Sequence, residues 1–472
     1  MARVTFVQTE WFEHLGLLSL AAYVRAAGHD VGLVTGRTAG QLLPRILEHE
    51  PDVVAFTATT GAHRTALAIA GKLRSYFHGT IIMGGPHPTF FPEVISHEGL
   101  DAVCRGEGEV PFAELLKRLD RKQDFSDVPG LWVKKGDRLI KNALPELISD
   151  LDTLPHPARD LLRQADPFFR RSGMKRVMAG RGCPYHCTYC FNDAMQELVR
   201  GKGPYVRLRG VDNVMAEIKS LAANGAGTIN FVDDTFGLKR TWAFELLARL
   251  GQEVNLPYIV NLRPEQADQE LIKALASSGC YCVQLGVESA DALMRKEVLG
   301  REVKDEELAE AARLIKSHGM YLLTYNMVGL PGETLAGAAR TIEWNSALAA
   351  DFPRVSIFQP YPRTALGERI LKEENGVEQG APPEAAGESY FRRSPLPGKE
   401  YRRIENVHKL FLPYIRFPRL RRFILSLSRL PANPLFDLVF LASMGAQYRK
   451  ATNRSIRETL RLGFRNLRAY FT

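Results

Sequence analysis

Residues 174–190, MKRVMAGRGCPYHCTYC, contain three cysteines within eight positions, and this cluster decides how the chain is interpreted. Cys183, Cys187 and Cys190 have the spacing C-x3-C-x2-C. A compact loop can direct three thiolates at one cuboidal iron–sulfur cluster, which leaves one of four irons open to a small molecule. A zinc site with His186 as the extra ligand is the alternative, but His186 adjoins Cys187 and the paired C-x2-C spacing of zinc modules is absent. The spacing therefore favours a catalytic iron–sulfur cluster with these three cysteines as metal ligands.

An alternation of short apolar runs and helical periods begins at the cysteines and continues to residue 366. It predicts six parallel strands joined by helices, at 175–179, 228–232, 258–262, 281–287, 322–328 and 355–359. Six such units in about 190 residues predict an incomplete (β/α)6 barrel of the TIM type. Chemistry in such barrels sits at the carboxyl ends of the strands, and the cysteines follow the first strand there.

The first 130 residues show the same alternation on a smaller scale, with strands expected at 4–7, 30–34, 52–57, 81–84 and 101–104. This pattern predicts an α/β, doubly wound, Rossmann-like domain that binds a ligand at the carboxyl edge of its sheet. Small and polar residues follow the strands at that edge, where they would let the backbone approach a ligand; they are Thr57, Thr59, Gly84, Gly85, Pro86 and Glu107. No G-x-G-x-x-G fingerprint follows the first strand, so a nicotinamide or flavin site is disfavoured.

The cysteine motif, with the aromatic Tyr189 before its last cysteine and a six-unit barrel around it, resembles radical S-adenosylmethionine (SAM) enzymes. The resemblance implies a [4Fe-4S] cluster whose open iron binds SAM, and a reduced cluster that cleaves it to methionine and a 5′-deoxyadenosyl radical. It also implies SAM contacts from residues at the strand ends, namely Tyr189, Asp233, Asp234, Arg263, Glu288, Gly329 and Gly332. A helix cap for one of the two aspartates and a surface ion pair for Arg263 are the structural alternatives.

The N-terminal domain ahead of this barrel resembles the cobalamin-binding (B12-binding) subgroup of the radical SAM family. The segments GGPHPT at 84–89 and GEGE at 106–109 carry the resemblance, together with LGLLSLAAY at 15–23. The Asp-x-His-x-x-Gly motif that supplies a lower axial histidine is absent. Either cobalamin binds with its lower face free of a protein ligand, or the domain has lost the cofactor. The glycine and threonine clusters at the ligand edge favour retained cobalamin.

The same resemblance implies methylation of an unactivated carbon of a small molecule, with flavodoxin or ferredoxin as external electron donor. The apolar and basic C-terminal region, residues 401–472, indicates a lipid, isoprenoid-like or tetrapyrrole substrate. A radical oxidative cyclisation or rearrangement that needs cobalamin but transfers no methyl group is the first alternative. A tRNA methylthiotransferase is disfavoured because Cys104 is the only cysteine in the N-terminal domain. A non-enzymatic iron–sulfur electron carrier would normally ligate all four irons with protein residues.

Composition and charge agree with a folded enzyme that has an unusual C-terminal region. The chain has 472 residues, of which 45% are hydrophobic and 24% charged, which excludes disordered and disulfide-scaffold classes. Residues 401–472 contain fifteen Lys and Arg against three acidic residues, a net charge of +12, mixed with aromatic and aliphatic side chains. This mixture favours an interfacial helical surface over a nucleic-acid arm. We therefore expect a cytoplasmic protein with no nucleic-acid partner, in which this region is either a packed helical extension with a solvated basic face or a peripheral membrane contact.

These patterns divide the chain into five segments. The predicted order is a cobalamin-binding domain (1–130), a linker with a small hairpin (131–172), the radical SAM barrel (173–366), an exposed connector rich in Pro, Gly and Glu (367–400) and a basic helical extension (401–472).

Overall fold

A computed structural model describes residues 1–375 and 393–471, apart from the side chains of 374–375 and 465–471. Two compact units form: the first contains Met1–Ser172 and Leu198–Arg209, and the second contains Gly173–Glu197 and Gly210–Thr472.

The strands, in chain order, are β1 Arg3–Gln8, β2 Asp30–Thr35, β3 Val53–Thr57, β4 Thr80–Gly84, β5 Ala102–Cys104, β6 Leu131–Lys135, β7 Arg138–Lys141, β8 Met174–Val177, β9 Gly180–Arg181, β10 Arg207–Leu208, β11 Thr228–Phe231, β12 Tyr258–Leu262, β13 Cys280–Glu288, β14 Tyr321–Val328 and β15 Phe352–Ile357. The α-helices are α1 Leu15–Ala26, α2 Ala39–Glu48, α3 His63–Arg74, α4 Pro86–Phe90, α5 Glu109–Asp120, α6 Arg159–Ala165, α7 Pro167–Arg171, α8 Phe191–Leu198, α9 Val211–Ala223, α10 Arg240–Glu253, α11 Gln269–Ser277, α12 Asp305–Ser317, α13 Leu335–Ala347, α14 Ala365–Asn375, α15 Lys399–Lys409, α16 Phe411–Arg416, α17 Arg421–Leu427, α18 Pro434–Ala451 and α19 Ile456–Phe471.

The first unit is the expected doubly wound domain. Its seven strands have the order β2-β1-β3-β4-β5-β6-β7, and the first five are parallel. Successive side chains of a strand point to opposite faces, so Phe6 packs with α1 and α5 whereas Val7 packs with α2 and α3. Both faces are therefore covered by helices, as the predicted alternation requires.

Part of the segment expected as a linker, 131–172, differs from that expectation. Strands β6 and β7 form an antiparallel hairpin that extends the first sheet beyond β5. Leu131 and Val133 are buried in the core of the first unit whereas Trp132 and Lys134 are only partly buried, because successive side chains of a strand point to opposite faces. The small hairpin expected in this segment is present, but the Asp, Pro and Gly residues before β6 form a turn that leads it into the first sheet, where β7 is the edge strand.

The second unit contains the expected half-barrel. Six parallel strands have the order β15-β14-β13-β12-β11-β8, and helices α9 to α13 connect them. The strands therefore follow one another around the sheet in chain order, and their carboxyl ends form a single rim.

The basic extension packs on the half-barrel over much of its length. Ile404, Phe411 and Phe440 are buried against Val328 and Ile357 at one edge of the sheet. The extension is therefore part of the second unit's core. Of the connector predicted for 367–400, residues 376–392 lie outside the described residues, and α14 covers the part before them. The described helices include none with the length and apolar character needed to cross a bilayer.

Candidate active site

The loop that carries the three cysteines begins after β9 and is fixed at Thr188. The Thr188 amide donates to the Leu299 carbonyl over 3.2 Å, and its hydroxyl donates to the Val298 carbonyl over 2.6 Å. Gly300 has a φ of +64°, and a Cβ there would lie 3.1 Å from Thr188 Cγ2. A side chain at position 300 would therefore be strained and crowded, so glycine lets this segment approach the cysteine loop.

The thiols themselves are largely buried. Cys183 and Cys187 are 9% and 7% exposed, and none of the six cysteines forms a disulfide. Burial raises the pKa of the Cys183 thiol to about 11, and the charges of Cys190 and Cys187 add to that shift, so the three sulfurs lie near one another. Metal binding at Cys183 must therefore release a proton from a thiol that is protonated at neutral pH.

Backbone and amide groups orient two of the three cysteines. Gln196 donates from Nε2 to the Cys183 carbonyl over 2.9 Å. The Cys190 sulfur accepts hydrogen bonds from the Asn192 amide and side chain, at 3.4 and 3.7 Å. Donors directed at a thiolate stabilise its charged form and tune any metal it holds.

Arg263 connects the end of β12 to the cysteine loop. Its Nη1 donates to Cys187 Sγ over 3.4 Å, its guanidinium lies 3.6 Å from the centre of the Tyr185 ring, and its Nε pairs with Glu265 over 2.5 Å. The guanidinium is thus held by a carboxylate and an aromatic face while it contacts a sulfur. Both the predicted role at the SAM carboxylate and the ion-pair alternative are compatible with this position.

A buried network joins Tyr189 to the end of β13. Arg301 donates from Nη1 to the Tyr189 hydroxyl over 3.2 Å and to the Glu288 carboxylate over 3.0 Å, and from Nη2 to the Gly286 carbonyl over 3.0 Å. Burial raises the pKa of Glu288, and the Arg301 charge opposes that shift. Glu288 has a φ of +66°, which is uncommon for a residue with a side chain and marks strain held by its surroundings.

The two aspartates after β11 have different environments. Asp233 accepts from the Ala179 amide over 3.1 Å and from the Gly180 amide over 2.6 Å, which ties the start of the cysteine loop to β11. Burial raises the pKa of Asp233 to about 7 although both hydrogen bonds favour its charged form. Asp234 is exposed at the rim, where its carboxylate accepts from Asn192.

The glycine loop after β14 is held from two sides. Gly329 and Gly332 both have a φ of +75°. The Gly329 amide donates to Glu333 Oε2 over 2.6 Å, and the Gly332 amide donates to the Tyr401 hydroxyl over 3.2 Å. Tyr401 belongs to α15, so the C-terminal extension contributes to the conformation of this loop.

The zinc alternative lacks its proposed fourth ligand. His186 pairs through Nδ1 with Asp193 over 2.7 Å, and its side chain is 70% exposed. Within residues 1–375 and 393–471, no three His, Cys, Asp or Glu side chains are arranged around a point that would hold a single metal ion. Three thiols with a donor on two of them fit a larger iron–sulfur cluster better.

In the first unit, a close backbone approach shapes the sheet edge after β4. Gly85 has a φ of +98°, and a Cβ there would lie 2.7 Å from Thr57 Oγ1 and 3.0 Å from the Ala58 backbone. The His87 amide donates to the Ala58 carbonyl over 2.9 Å, so the loop that begins α4 lies directly against the end of β3. Gly84, Gly85 and Pro86 are thus brought together with Thr57, as predicted for this edge.

Two histidines stack in the same region. The rings of His63 and His87 lie 3.6 Å apart at 12°, and Thr60 Oγ1 lies 3.2 Å from His87 Nδ1. Burial and the nearby charge of His63 lower the pKa of His87 to about 3. His87 is therefore neutral at physiological pH and can accept or donate a hydrogen bond without carrying charge.

Buried polar atoms at the end of β1 and in α4, at the carboxyl edge of the first sheet, provide a test of whether a cofactor fits there. Among the described residues, Gln8 Oε1, Thr9 Oγ1 and His87 Nε2 are buried without a hydrogen-bond partner. Buried polar groups are normally paired, so such atoms at a ligand edge fit a polar cofactor that completes their bonds. Thr59 donates to the Glu10 carboxylate over 2.5 Å, which places a further acidic group there.

Glu107 has a different environment from the other predicted cofactor contacts. Its two oxygens accept from Arg207 over 2.7 and 3.1 Å, and Oε2 also accepts from the Ile148 amide. The carboxylate therefore joins three distant segments of the first unit.

The chain is similar in sequence to two known protein families, one for each of these sites. A family model described as the radical SAM superfamily matches residues 177–344, and one described as the B12 binding domain matches residues 9–116. An uncharacterized methyltransferase of Pyrococcus horikoshii is 32% identical over 76% of this chain and 78% of its own. The chain belongs to the B12-binding radical SAM family. Its cofactors are accordingly a [4Fe-4S] cluster, SAM and cobalamin, as predicted.

Other relatives of this radical SAM enzyme are named for different activities. The anaerobic magnesium-protoporphyrin IX monomethyl ester cyclase of Cereibacter sphaeroides is 26% identical over 76% of this chain and 60% of its own length. The hopanoid C-3 methylase of Methylococcus capsulatus is 26% identical over 75% of this chain and 67% of its own. The solved structure of OxsB, a cobalamin-dependent SAM radical enzyme, has the same fold, with a TM-score of 0.69, 18% identity and coverage of 99% of this chain and 75% of that one.

Three residues of the two sites, Arg301, Glu10 and His63, were not predicted from the sequence. Arg301 lies after a helical turn, outside every strand end, and only its neighbour Gly300 signalled a close approach. Glu10 and His63 lie in loops or at a helix start, where isolated polar residues are usually solvated. Their importance depends on which strands end side by side, which periodicity does not specify.

Proposed function

We propose that this B12-binding radical SAM enzyme transfers a methyl group from SAM to an unactivated carbon of a small molecule. The observation that carries the proposal is the 32% identity, over 76% of this chain, to a protein named as an uncharacterized methyltransferase. A lipid or isoprenoid-like substrate is supported by the relationship to hopanoid C-3 methylase and by the apolar and basic character of the C-terminal region.

The chain's own residues fit the required cofactors. Cys183, Cys187 and Cys190 would hold the cluster, because their sulfurs are near one another and already accept hydrogen bonds from neighbouring donors. When bound, the cluster supplies the electron that cleaves SAM, and cobalamin supplies the methyl-transfer chemistry. In our proposal an external electron donor such as flavodoxin or ferredoxin reduces the enzyme.

Several rim residues would position SAM. Glu288 and Asp234 present carboxylates for hydroxyl or ammonium groups, and Arg263 presents a cation for a carboxylate. Tyr189 offers an aromatic ring, and in the glycine loop Gly332 is exposed whereas Gly329 is buried. Asp233 would act by positioning the cysteine loop, since both of its oxygens accept backbone hydrogen bonds.

Cobalamin would bind at the carboxyl edge of the first sheet. Thr57, Gly84, Gly85 and Pro86 form the close backbone approach there, and Thr59 belongs to the polar group at the end of β1. Glu107 would contribute indirectly, by holding the segments around residues 148 and 207.

The amounts of the products formed from SAM test the proposal. The anaerobically reconstituted enzyme is incubated with reductant, candidate apolar substrates and SAM that carries a deuterated methyl group. Carbon methylation predicts equal amounts of S-adenosylhomocysteine and deoxyadenosine, together with a labelled product. Deoxyadenosine without S-adenosylhomocysteine would instead support the radical cyclisation favoured by the relationship to the anaerobic cyclase. His186→Ala serves as a control that alters the loop outside the three ligands.

We further propose that the protein is cytoplasmic and contacts a membrane surface peripherally through residues 401–472. The net charge of +12 in this region and its interspersed apolar residues support the contact.

A further inference from the structure

A short stretch of the C-terminal extension exposes apolar and basic side chains in alternation. From the last residue of α16 into the first turn of α17 the sequence is Arg-Phe-Pro-Arg-Leu-Arg-Arg-Phe, residues 416–423, and it includes a 3-10 turn at Pro418–Leu420. Phe417, Leu420 and Phe423 are 54%, 49% and 60% exposed. Large apolar side chains this exposed, grouped within seven residues, mark an interaction surface.

The opposite side of the same segment is fixed to the half-barrel. Ile424 is 5% exposed in a core that includes Ile342 of α13. Arg421 forms an ion pair with Glu343 and donates to the Tyr414 carbonyl over 3.2 Å. The segment therefore has an inner face that anchors it and an outer face that presents the three apolar side chains to solvent.

The charges on the outer face have one sign. No Asp or Glu occurs between residues 406 and 436. Arg416, Arg419 and Arg422 are exposed, and among the described residues no acidic side chain pairs with them. Arginine can keep its charged end among anionic headgroups while its neighbours insert into the boundary between headgroups and acyl chains.

We propose that this outer face, formed by Phe417, Leu420 and Phe423 with Arg416, Arg419 and Arg422, docks the enzyme on the surface of an anionic phospholipid bilayer. The inference deepens the peripheral contact proposed above and rests on it. An anionic lipid surface is favoured because every charge on this face is positive and no Asp or Glu occurs between residues 406 and 436, and a protein partner is an alternative outcome of the test below.

A second element has the same chemistry. On α19 the side chains of Ile456, Leu460 and Phe464 are 59%, 56% and 77% exposed. Their spacing of four residues places them in one stripe, beside Arg457 and Arg461. An apolar stripe flanked by arginines is the pattern of a helix that lies in a membrane interface.

Vesicle co-sedimentation of the full-length, anaerobically reconstituted enzyme tests the inference. The vesicles contain phosphatidylcholine alone or with roughly one third phosphatidylglycerol, a typical anionic lipid, at about 50 mM or about 500 mM salt. We expect binding to the anionic vesicles at low salt, and at least tenfold weaker binding at high salt or without the anionic lipid.

Two triple variants locate the surface. Phe417→Ser/Leu420→Ser/Phe423→Ser and Arg416→Glu/Arg419→Glu/Arg422→Glu should each bind anionic vesicles at least tenfold more weakly than the parent. Matched controls in the first unit are Tyr76→Ser/Leu139→Ser and Lys72→Glu/Arg121→Glu/Lys122→Glu, which change exposed side chains of the same types and should bind like the parent.

Three results would overturn the inference: parent-like binding by either triple variant, no preference of the parent for anionic vesicles, or a parent dimer that the serine variant converts to monomers without lipid. Deoxyadenosine formation without vesicles is measured on the same samples. Because deoxyadenosine formation does not depend on docking, a parent enzyme that cleaves SAM but does not bind anionic vesicles rejects the membrane surface and leaves the proposed methylation standing.

Discussion

Arg301 donates to Glu288 over 3.0 Å, and both side chains are buried at the end of β13, next to the cysteine loop. The same guanidinium donates to the hydroxyl of Tyr189, the residue before Cys190. One cation therefore connects Glu288, a predicted SAM contact, to the cysteine motif. A buried charge that loses its partner still carries the free-energy cost of its removal from water. Loss of either residue of this pair should therefore strongly destabilise the second unit.

Arg301→Met should therefore lower the free energy of unfolding by about 3–5 kcal/mol, because Glu288 would remain buried without its cation. Chemical denaturation checks this value. Arg313→Met, which breaks an exposed pair with Glu310, is the matched control and should cost no more than about 1 kcal/mol. Equal costs for the two variants would show that the Arg301 network is not stabilising.

The close approach at Gly85 predicts a local effect in the first unit. Gly85→Ala places a methyl group 2.7 Å from Thr57 Oγ1 at a φ of +98°, so it should cost more than the roughly 1–2 kcal/mol of a left-handed alanine alone. It should also weaken cobalamin binding, followed by the absorbance of the bound corrin. Gly61→Ala has a φ of +100° with no neighbour within 4 Å and isolates the backbone strain. If both variants bind cobalamin like the parent, the ligand edge lies elsewhere.

Glu333 makes the stability of the second unit depend on pH. Burial raises the pKa of Glu333 to about 7, from 4.5 in the unfolded chain. Because the folded state holds the proton more tightly, this stabilisation is complete below pH 4.5 and is lost as pH rises through 7. Glu333→Gln removes the titration, so its stability relative to the parent should increase by roughly 3 kcal/mol between pH 4.5 and pH 8. A difference in melting temperature that stays constant over this range would contradict the shift.

Arg263 is predicted to act on the cluster through Cys187. Arg263→Met removes a donor to the sulfur and a positive charge beside it, and such groups around metal ligands typically change metal affinity or activity by roughly 10- to 100-fold. The cluster potential should also become more negative, as measured by anaerobic redox titration. Arg263→Lys keeps the charge and should recover part of the potential. A variant with an unchanged potential and activity would limit Arg263 to its ion pair with Glu265.

Strand positions were largely predictable because each buried parallel strand is a short apolar run bounded by turn residues. The predicted strand at 258–262 coincides with β12, and the other predicted barrel strands differ from the observed ones by no more than three residues at either end. The hairpin β6–β7 was not predicted as part of the first sheet, because an edge strand with one exposed face carries a weaker apolar signal.

The site was predictable where a motif fixes several residues on one loop, as for Cys183, Cys187 and Cys190. It was less predictable where a side chain's partner comes from another segment. Asp233 was expected to contact SAM, yet its hydrogen bonds go to the backbone of residues 179 and 180. Glu107 similarly bonds to Arg207, one hundred residues away. Sequence spacing places such a carboxylate at a rim but does not identify its partner.

The most direct test is the quantity of deoxyadenosine formed from SAM by anaerobically reconstituted protein and by its Cys187→Ala variant. We predict about four irons per chain and steady deoxyadenosine formation for the parent, with neither retained by the variant even though circular dichroism shows it folded. Zinc in place of iron in the parent, or equal deoxyadenosine from the two proteins, would contradict a SAM-cleaving cluster on these three cysteines.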